Sequence, residues 1–271
     1  MPVHPTAVVD RRAEIDPTAE IGPFVVVDGP VQIGPKCRVY PGAYLSGWTQ
    51  IGEGVEIHPN AVVGHLPQDF HFTGERSYCR IGDGTIIREG ASVHRGTQSE
   101  SATVLGRGCF ILAFAHVGHN CELADGVKVY NGAALAGHVQ IGRYAILSAH
   151  CLVHQFVRVG EFVMAGGGTR ILQDIPPFFS AVGENECYGY NAIGLRRSGE
   201  FTPEEIAEVK TAYRTLYRSG RPFRAAIETL AGLVHTRTGR TIVEFLRAPS
   251  KRGVMGPPRS PQEDVRPADD E

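Results

Sequence analysis

An aliphatic residue recurs at every sixth position over most of this chain, and few folds can satisfy that period. Stepping by six from Val3 to Ile171 gives 29 positions; Val, Ile or Leu fills 25 of them and Ala165 another. Asp69, Glu75 and Ser99 are the exceptions. A period of six matches neither the 3.6 of an α-helix nor the alternation of an open strand. It matches a short strand followed by a turn, with three such units closing a coil of about eighteen residues. The aliphatic residue points inward. So does the small residue four places later, where Ala43, Ala61, Ala91, Ala115, Ala133 and Ala145 recur. A single coil cannot bury its own apolar side, so coils must stack, at the strand spacing of roughly 4.8 Å. The expectation is a mainly β chain whose residues 1–177 form a parallel β-helix of about nine coils.

Two stretches lose the period and then recover it: 65–80 and 98–104. Both are read as loops leaving the prism, a common location for binding residues. Pro176-Pro177 should end the ladder, because proline donates no backbone hydrogen bond. Residues 178–200 read as a connector. Thr202-Pro203-Glu204-Glu205 then combines an N-cap, a proline in the first turn and a capping-box glutamate. A helical stripe follows at Ile206, Val209, Tyr213, Leu216 and Tyr217, then another at Phe223, Ile227, Leu230 and Val234. A third short helix is expected over Thr241–Leu246. Residues 178–248 thus form a small helical region. Residues 249–271 are rich in proline and charge, and disorder is expected there.

Composition narrows the class. The formal net charge is −2, so bulk electrostatics imply no nucleic-acid or membrane partner. The N-terminus lacks a basic stretch followed by an apolar run, and no segment approaches a membrane span. A cytoplasmic protein without stable membrane insertion is expected. Of the six cysteines, Cys37, Cys109, Cys121 and Cys151 fall in the small inward slot of the repeat. No Cys-x-x-Cys pair occurs, so they read as inert core thiols.

Residues eighteen apart should stack. His119, Gly137 and Gln155 then form one column, Gly118, Ala136 and His154 the next, and Asn120, His138 and Phe156 the one after. His116 precedes His119 on the same corner, so four histidines from three coils gather there. His150 should point elsewhere. Histidine titrates near neutral pH and serves as general base or metal ligand. A three-histidine zinc site is one reading. The close pairs His116/His119 and His150/His154 fit poorly the spacing of trimeric β-helix carbonic anhydrases. Acyl transfer is another reading, with a histidine base beside a donor for the developing oxyanion. Glycine at 137 would let a backbone N–H approach a thioester carbonyl closely. The basic residues Arg214, Arg218, Arg221 and Arg224 on the helical tail form a cluster that would suit an acidic partner.

The repeat, the segments Ala115–Cys121, Leu135–His138 and Val153–Phe156, and the helical tail resemble the acyl-(acyl carrier protein)–UDP-N-acetylglucosamine O-acyltransferases of lipid A synthesis. Further matching segments are Gln68-Asp69, His94–Thr97, Gln173–Pro177, Gly194–Arg197 and Tyr217–Gly220. The resemblance spans roughly residues 3 to 247. It implies a left-handed parallel β-helix, assembled as a homotrimer with sites between subunits. It also implies transfer of a 3-hydroxyacyl chain from acyl carrier protein to the glucosamine 3-position of UDP-N-acetylglucosamine. A UDP-sugar N-acyltransferase and a non-catalytic binding homologue are the alternatives. By motif match, His119 is the general base and Gly137 the oxyanion donor. Asp69, His116, His138, His154 and Gln155 bind the glucosamine and phosphate region, and Asn191 and Arg197 the nucleotide. Gly167 bounds the acyl pocket. No cofactor or metal is implied, since phosphopantetheine arrives on the carrier protein. The chain departs from the family pattern at Asn120, commonly Asp, and at His71, commonly Lys. It departs again at Ile193, commonly Glu, and at Ser198, commonly basic.

Overall fold

The computed structural model describes residues 3–258. Among the described residues, short strands, parallel except for the last, stack into three sheets of nine, eight and ten strands, the faces of a left-handed β-helix. Coil stacks on coil in a fixed register: His116 pairs with Ala134, Ala134 with Leu152 and Leu152 with Arg170. The inward slots are closed to solvent. Leu135, Leu147 and Ile171 fill the aliphatic positions, and Ala115, Ala133 and Ala145 the small ones.

The excursions keep the phase of the repeat. Trp48 pairs with Tyr78, thirty residues on, so the first inserts twelve beyond the regular eighteen. Tyr78 pairs with Ala102, twenty-four residues on, so the second inserts six. Two of the aliphatic exceptions, Asp69 and Glu75, fall in the first insert, and Ser99 in the second. Both loops are narrower than expected, because Tyr78–Ile81 and Ala102–Leu105 are already strands. The polar residues Tyr78, Arg80 and Thr103 occupy strand positions there, which gives these strands the look of loop in the sequence.

The prolines interrupt the ladder without ending it. Ile175 still bridges Val159, and Phe179–Val182 pairs in parallel with Met164–Ala165. That strand then turns back on Glu186–Tyr190 in an antiparallel hairpin within the expected connector. Among the described residues four helices follow: α1 Ala192–Ser198, α2 Pro203–Tyr217, α3 Phe223–Ala231 and α4 Arg237–Arg247. The capping box of α2 forms as its sequence indicates, with Thr202 and Glu205 bonding reciprocally. Helix α1 falls inside the expected connector. Helix α4 starts earlier than expected, because Thr236 caps it through the Gly239 N–H.

Disorder from residue 249 onward is overturned as far as 258. Val254 bridges Asp174, Gly256 bridges Glu186, and Met255 is buried. Its side chain gains burial among apolar groups, and its carbonyl accepts the Tyr217 hydroxyl at 2.7 Å, which together outweigh the polar composition. Residues 259–271 of the expected tail lie outside the described residues.

All six cysteines are free and buried. Burial pushes the Cys79 and Cys187 thiols up to about 12. The native protein should therefore resist a thiol reagent at pH 8 and release six reactive thiols in guanidinium. Rapid native labelling at any of them would contradict the packing.

Candidate active site

One corner of the prism is lined by histidines. The His119 and His138 rings meet edge to face at 5.2 Å between centroids. His138 stacks on Phe156 at 4.8 Å. The residues that open these corners adopt the left-handed conformation: Asn120 (φ 57°), His138 (φ 60°) and Phe156 (φ 68°). Their amides tie coil to coil, His138 N–H to the His119 carbonyl at 2.9 Å and Phe156 N–H to the Gly137 carbonyl at 3.2 Å.

The repeat alone would leave His119 on an open turn, yet it is only 8% exposed, with the His138 ring and the Asn120 amide packed around it. Its ring lies directly over Gly137, where any Cβ would collide with Cε1, Nε2 and Nδ1. Glycine is required there for close approach rather than for a turn. Among the described residues, no acceptor takes the Gly137 N–H.

Asn120 fixes the proton on His119. Its Oδ1 accepts the Thr97 backbone N–H at 3.1 Å and the Thr97 hydroxyl at 3.0 Å. An N–H donor on that atom identifies it as the amide oxygen, because the amide nitrogen would also be a donor. His119 Nδ1 lies 3.1 Å from the same oxygen and must donate to it. In its neutral form the ring is therefore the Nδ1–H tautomer, with Nε2 left as acceptor. A second threonine, Thr103, accepts the Asn120 backbone N–H at 2.8 Å.

The coil preceding His116 adds residues that the eighteen-residue arithmetic misses. Ser92 Oγ lies 2.8 Å from His116 Nδ1, and the His94 ring meets the His116 ring at 4.9 Å. Ser92 pairs with His116 across twenty-four residues, because the six-residue insert intervenes. Counting back eighteen from His116 lands in the loop instead. The segment His94–Thr97 stands out in the sequence, but nothing there assigns it to this corner.

Burial, with the neighbouring His116, His65 and His119, lowers the His94 pKa to about 4. Burial first, then His119, holds the His116 imidazole below its ordinary value. His138 is lowered by burial, then by His119 and Lys251, with Asp69 opposing. Asp69, half-buried in the first loop, therefore lies within electrostatic reach of the cluster, its carboxylate accepting the His71 N–H at 2.9 Å.

The other expected site residues are more dispersed. His154 is exposed in the adjoining coil, Nδ1 bonded to the Gln155 carbonyl at 3.1 Å. His150 sits over Gly132, on another corner. Asn191 is committed to the fold: it caps α1 through the Gly194 N–H and donates to the Phe162 carbonyl at 2.9 Å. Arg197 is exposed in the last turn of that helix. Gly167 is exposed, and a Cβ there would meet only the Ala149 carbonyl, at 3.5 Å. Arg214, Arg218, Arg221 and Arg224 are all exposed along α2, its following turn and α3. Among the described residues, no group of three or more His, Cys, Asp or Glu is placed to hold a metal ion.

Comparison with known proteins places this geometry in a family. An acyl-(acyl carrier protein)–UDP-N-acetylglucosamine O-acyltransferase from Burkholderia lata is 40% identical over 260 residues, covering 93% of this chain and 98% of its own length. The chain belongs to that O-acyltransferase family. Another relative of that name, from Sulfurihydrogenibium sp., is 49% identical over 255 residues, 93% of each chain. The solved UDP-N-acetylglucosamine acyltransferase of Francisella novicida superposes with a TM-score of 0.90 at 34% identity, over 95% of both chains. That of Bacteroides fragilis gives 0.89 at 38% identity, over 93% of this chain and 99% of its own. The family model for UDP-N-acetylglucosamine O-acyltransferase domain 2 matches residues 174–255, and the bacterial transferase hexapeptide model matches 30–65 and 102–137. In this O-acyltransferase chain the domain 2 match takes in residues 249–255, the first part of the expected tail.

The neutral His94 couples stability to pH. Unfolding restores its ordinary value of 6.5, so between 6.5 and about 4 the unfolded chain binds a proton that the folded chain refuses. Stability present above 6.5 is thus lost as the pH falls through that window. His116 and His138 act in the same direction. The urea midpoint should drop from pH 7 to pH 5, and His94→Gln should flatten that drop. An unchanged slope in the variant would rule out His94 as a source.

Proposed function

We propose that this chain transfers an acyl group, a 3-hydroxyacyl chain, from acyl carrier protein to the 3-hydroxyl of the glucosamine in UDP-N-acetylglucosamine, the opening step of lipid A synthesis. Its family relatives carry the name of that O-acyl transfer. One observation in the site supports the chemistry most directly: Asn120 holds the Nδ1–H tautomer of His119, leaving Nε2 ready to accept a proton. His119 takes the proton of the sugar hydroxyl as its oxygen attacks the thioester carbonyl. Negative charge gathers on the former carbonyl oxygen, facing the unclaimed Gly137 N–H. Collapse breaks the carbon–sulfur bond, and the departing thiolate takes its proton from His119. No resident cofactor is needed, because the pantetheine thiol belongs to the carrier protein.

Around that centre, Asp69, His116, His138, His154 and Gln155 are proposed to hold the sugar and its phosphates. Arg197 is proposed at the nucleotide, with Asn191 ordering the helix that presents it. The exposed arginines 214, 218, 221 and 224 suit an acidic carrier. A homotrimer with sites between subunits and a cytoplasmic location complete the proposal. Among the described residues, no helix is long and apolar enough to cross a membrane.

Turnover of UDP-N-acetylglucosamine with a panel of 3-hydroxyacyl carrier proteins tests the reading. His119→Ala should lose roughly 100- to 10,000-fold in rate while keeping its thermal transition. More than about a tenth of wild-type turnover would rule His119 out as the base. Gly167 is proposed to bound the acyl groove, and it lies outside the left-handed region with room for a Cβ. Gly167→Met should fold normally and prefer shorter chains, each methylene excluded forfeiting about 0.8 kcal/mol. An unchanged length profile would place the ruler elsewhere.

A further inference from the structure

The strap formed by residues 249–258 carries a cation to the histidine corner. Its backbone is fixed on both sides of Lys251. The Ser250 hydroxyl accepts the Arg252 and Gly253 N–H groups at 3.1 and 2.8 Å, and Arg252 Nε donates to the Leu172 carbonyl at 3.1 Å. Just beyond, the Asp174 N–H bonds the Gly253 carbonyl and the Met255 N–H bonds the Asp174 carbonyl, each at 2.8 Å. Asp174 is itself fully buried and paired with Arg158 at 2.8 Å. So anchored, the Lys251 ammonium lies 4.1 Å from the centre of the Phe156 ring. Phe156 stacks on His138, and His138 abuts His119. Among the described residues, no carboxylate pairs with Lys251, which is exposed.

Two other cations near the loops are either paired or buried. Arg76 lies 3.6 Å from Glu100 and over the Trp48 and Tyr78 rings. Arg95 is wedged between Trp48 and Phe72. The loop bearing Asp69 contains no lysine. Acyl transfer here joins two phosphate-bearing molecules, a nucleoside diphosphate sugar and a pantetheine arm on a phosphodiester. An unpaired ammonium separated from the proposed base by two rings is suited to such a group, since hydrogen bonds between ionised partners are the strong ones.

We propose that Lys251 is a substrate-binding residue that takes a phosphate of one of the two substrates at the His119–His138–Phe156 corner. The proposal rests on the acyl-transfer reading and adds to it a residue from the far end of the chain.

The full chain and its Lys251→Met and Lys251→Arg variants test this, with turnover measured while each substrate is varied and UDP-N-acetylglucosamine binding measured by calorimetry. Lys251→Met should raise one KM about tenfold or more, with a smaller change in kcat, and Lys251→Arg should recover much of it. A rise in the nucleotide-sugar KM, with a matching rise in its Kd, assigns the diphosphate. A rise confined to the carrier-linked donor assigns the phosphodiester. If the wild type binds the nucleotide sugar without turnover, acyl transfer fails, and weaker binding by Lys251→Met would alone sustain the contact. Equal KM and Kd values for wild type and Lys251→Met, both with normal thermal transitions, overturn the proposal.

Discussion

The corner of each coil demands a residue in a backbone conformation that side chains rarely adopt, and the candidate site is built on that demand. Asn120, His138 and Phe156 occupy it with φ between 57° and 68°. A left-handed residue other than glycine costs about 1–2 kcal/mol. The amides of His138 and Phe156 offset that cost by bonding the coil before. Their rings add to this, stacking along the prism axis. His119 immediately precedes such a corner, so the geometry that locks the coils together also aims its ring.

Much of this is legible in the chain of residues alone. The six-residue period locates the core slots and the columns that bring His119 to Gly137 and His138 to Phe156. Stacking arithmetic works wherever consecutive coils have equal length. It fails above His116, where a six-residue insert hides Ser92 and His94 from any count by eighteen. Composition misleads at the strap, because the burial of Met255 and the partners at Asp174 are tertiary facts with no local signature. Asn191 shows a different gap. A motif match can place an amide near a nucleotide, but only geometry reveals that both its polar atoms already serve the fold.

Asn120 illustrates how orientation and charge separate. A carboxylate beside an imidazole both fixes its tautomer and stabilises its protonated form. The amide performs the first task alone, through an oxygen already bonded by Thr97. The surroundings are arranged accordingly. His94, His116 and His138 are all pushed toward the neutral form by burial, the direction that reduces repulsion against a protonated His119.

The strap also sets an order of events in synthesis. Repeat coils interact with their neighbours and can stack as they leave the ribosome, amino end first. The site lies near the far end of that stack. Its edge beside Phe156 is covered by a segment translated about a hundred residues later, after the helices have been made. A nascent chain can thus hold a finished prism and an unfinished site at once, and the arrival of the strap closes the interval.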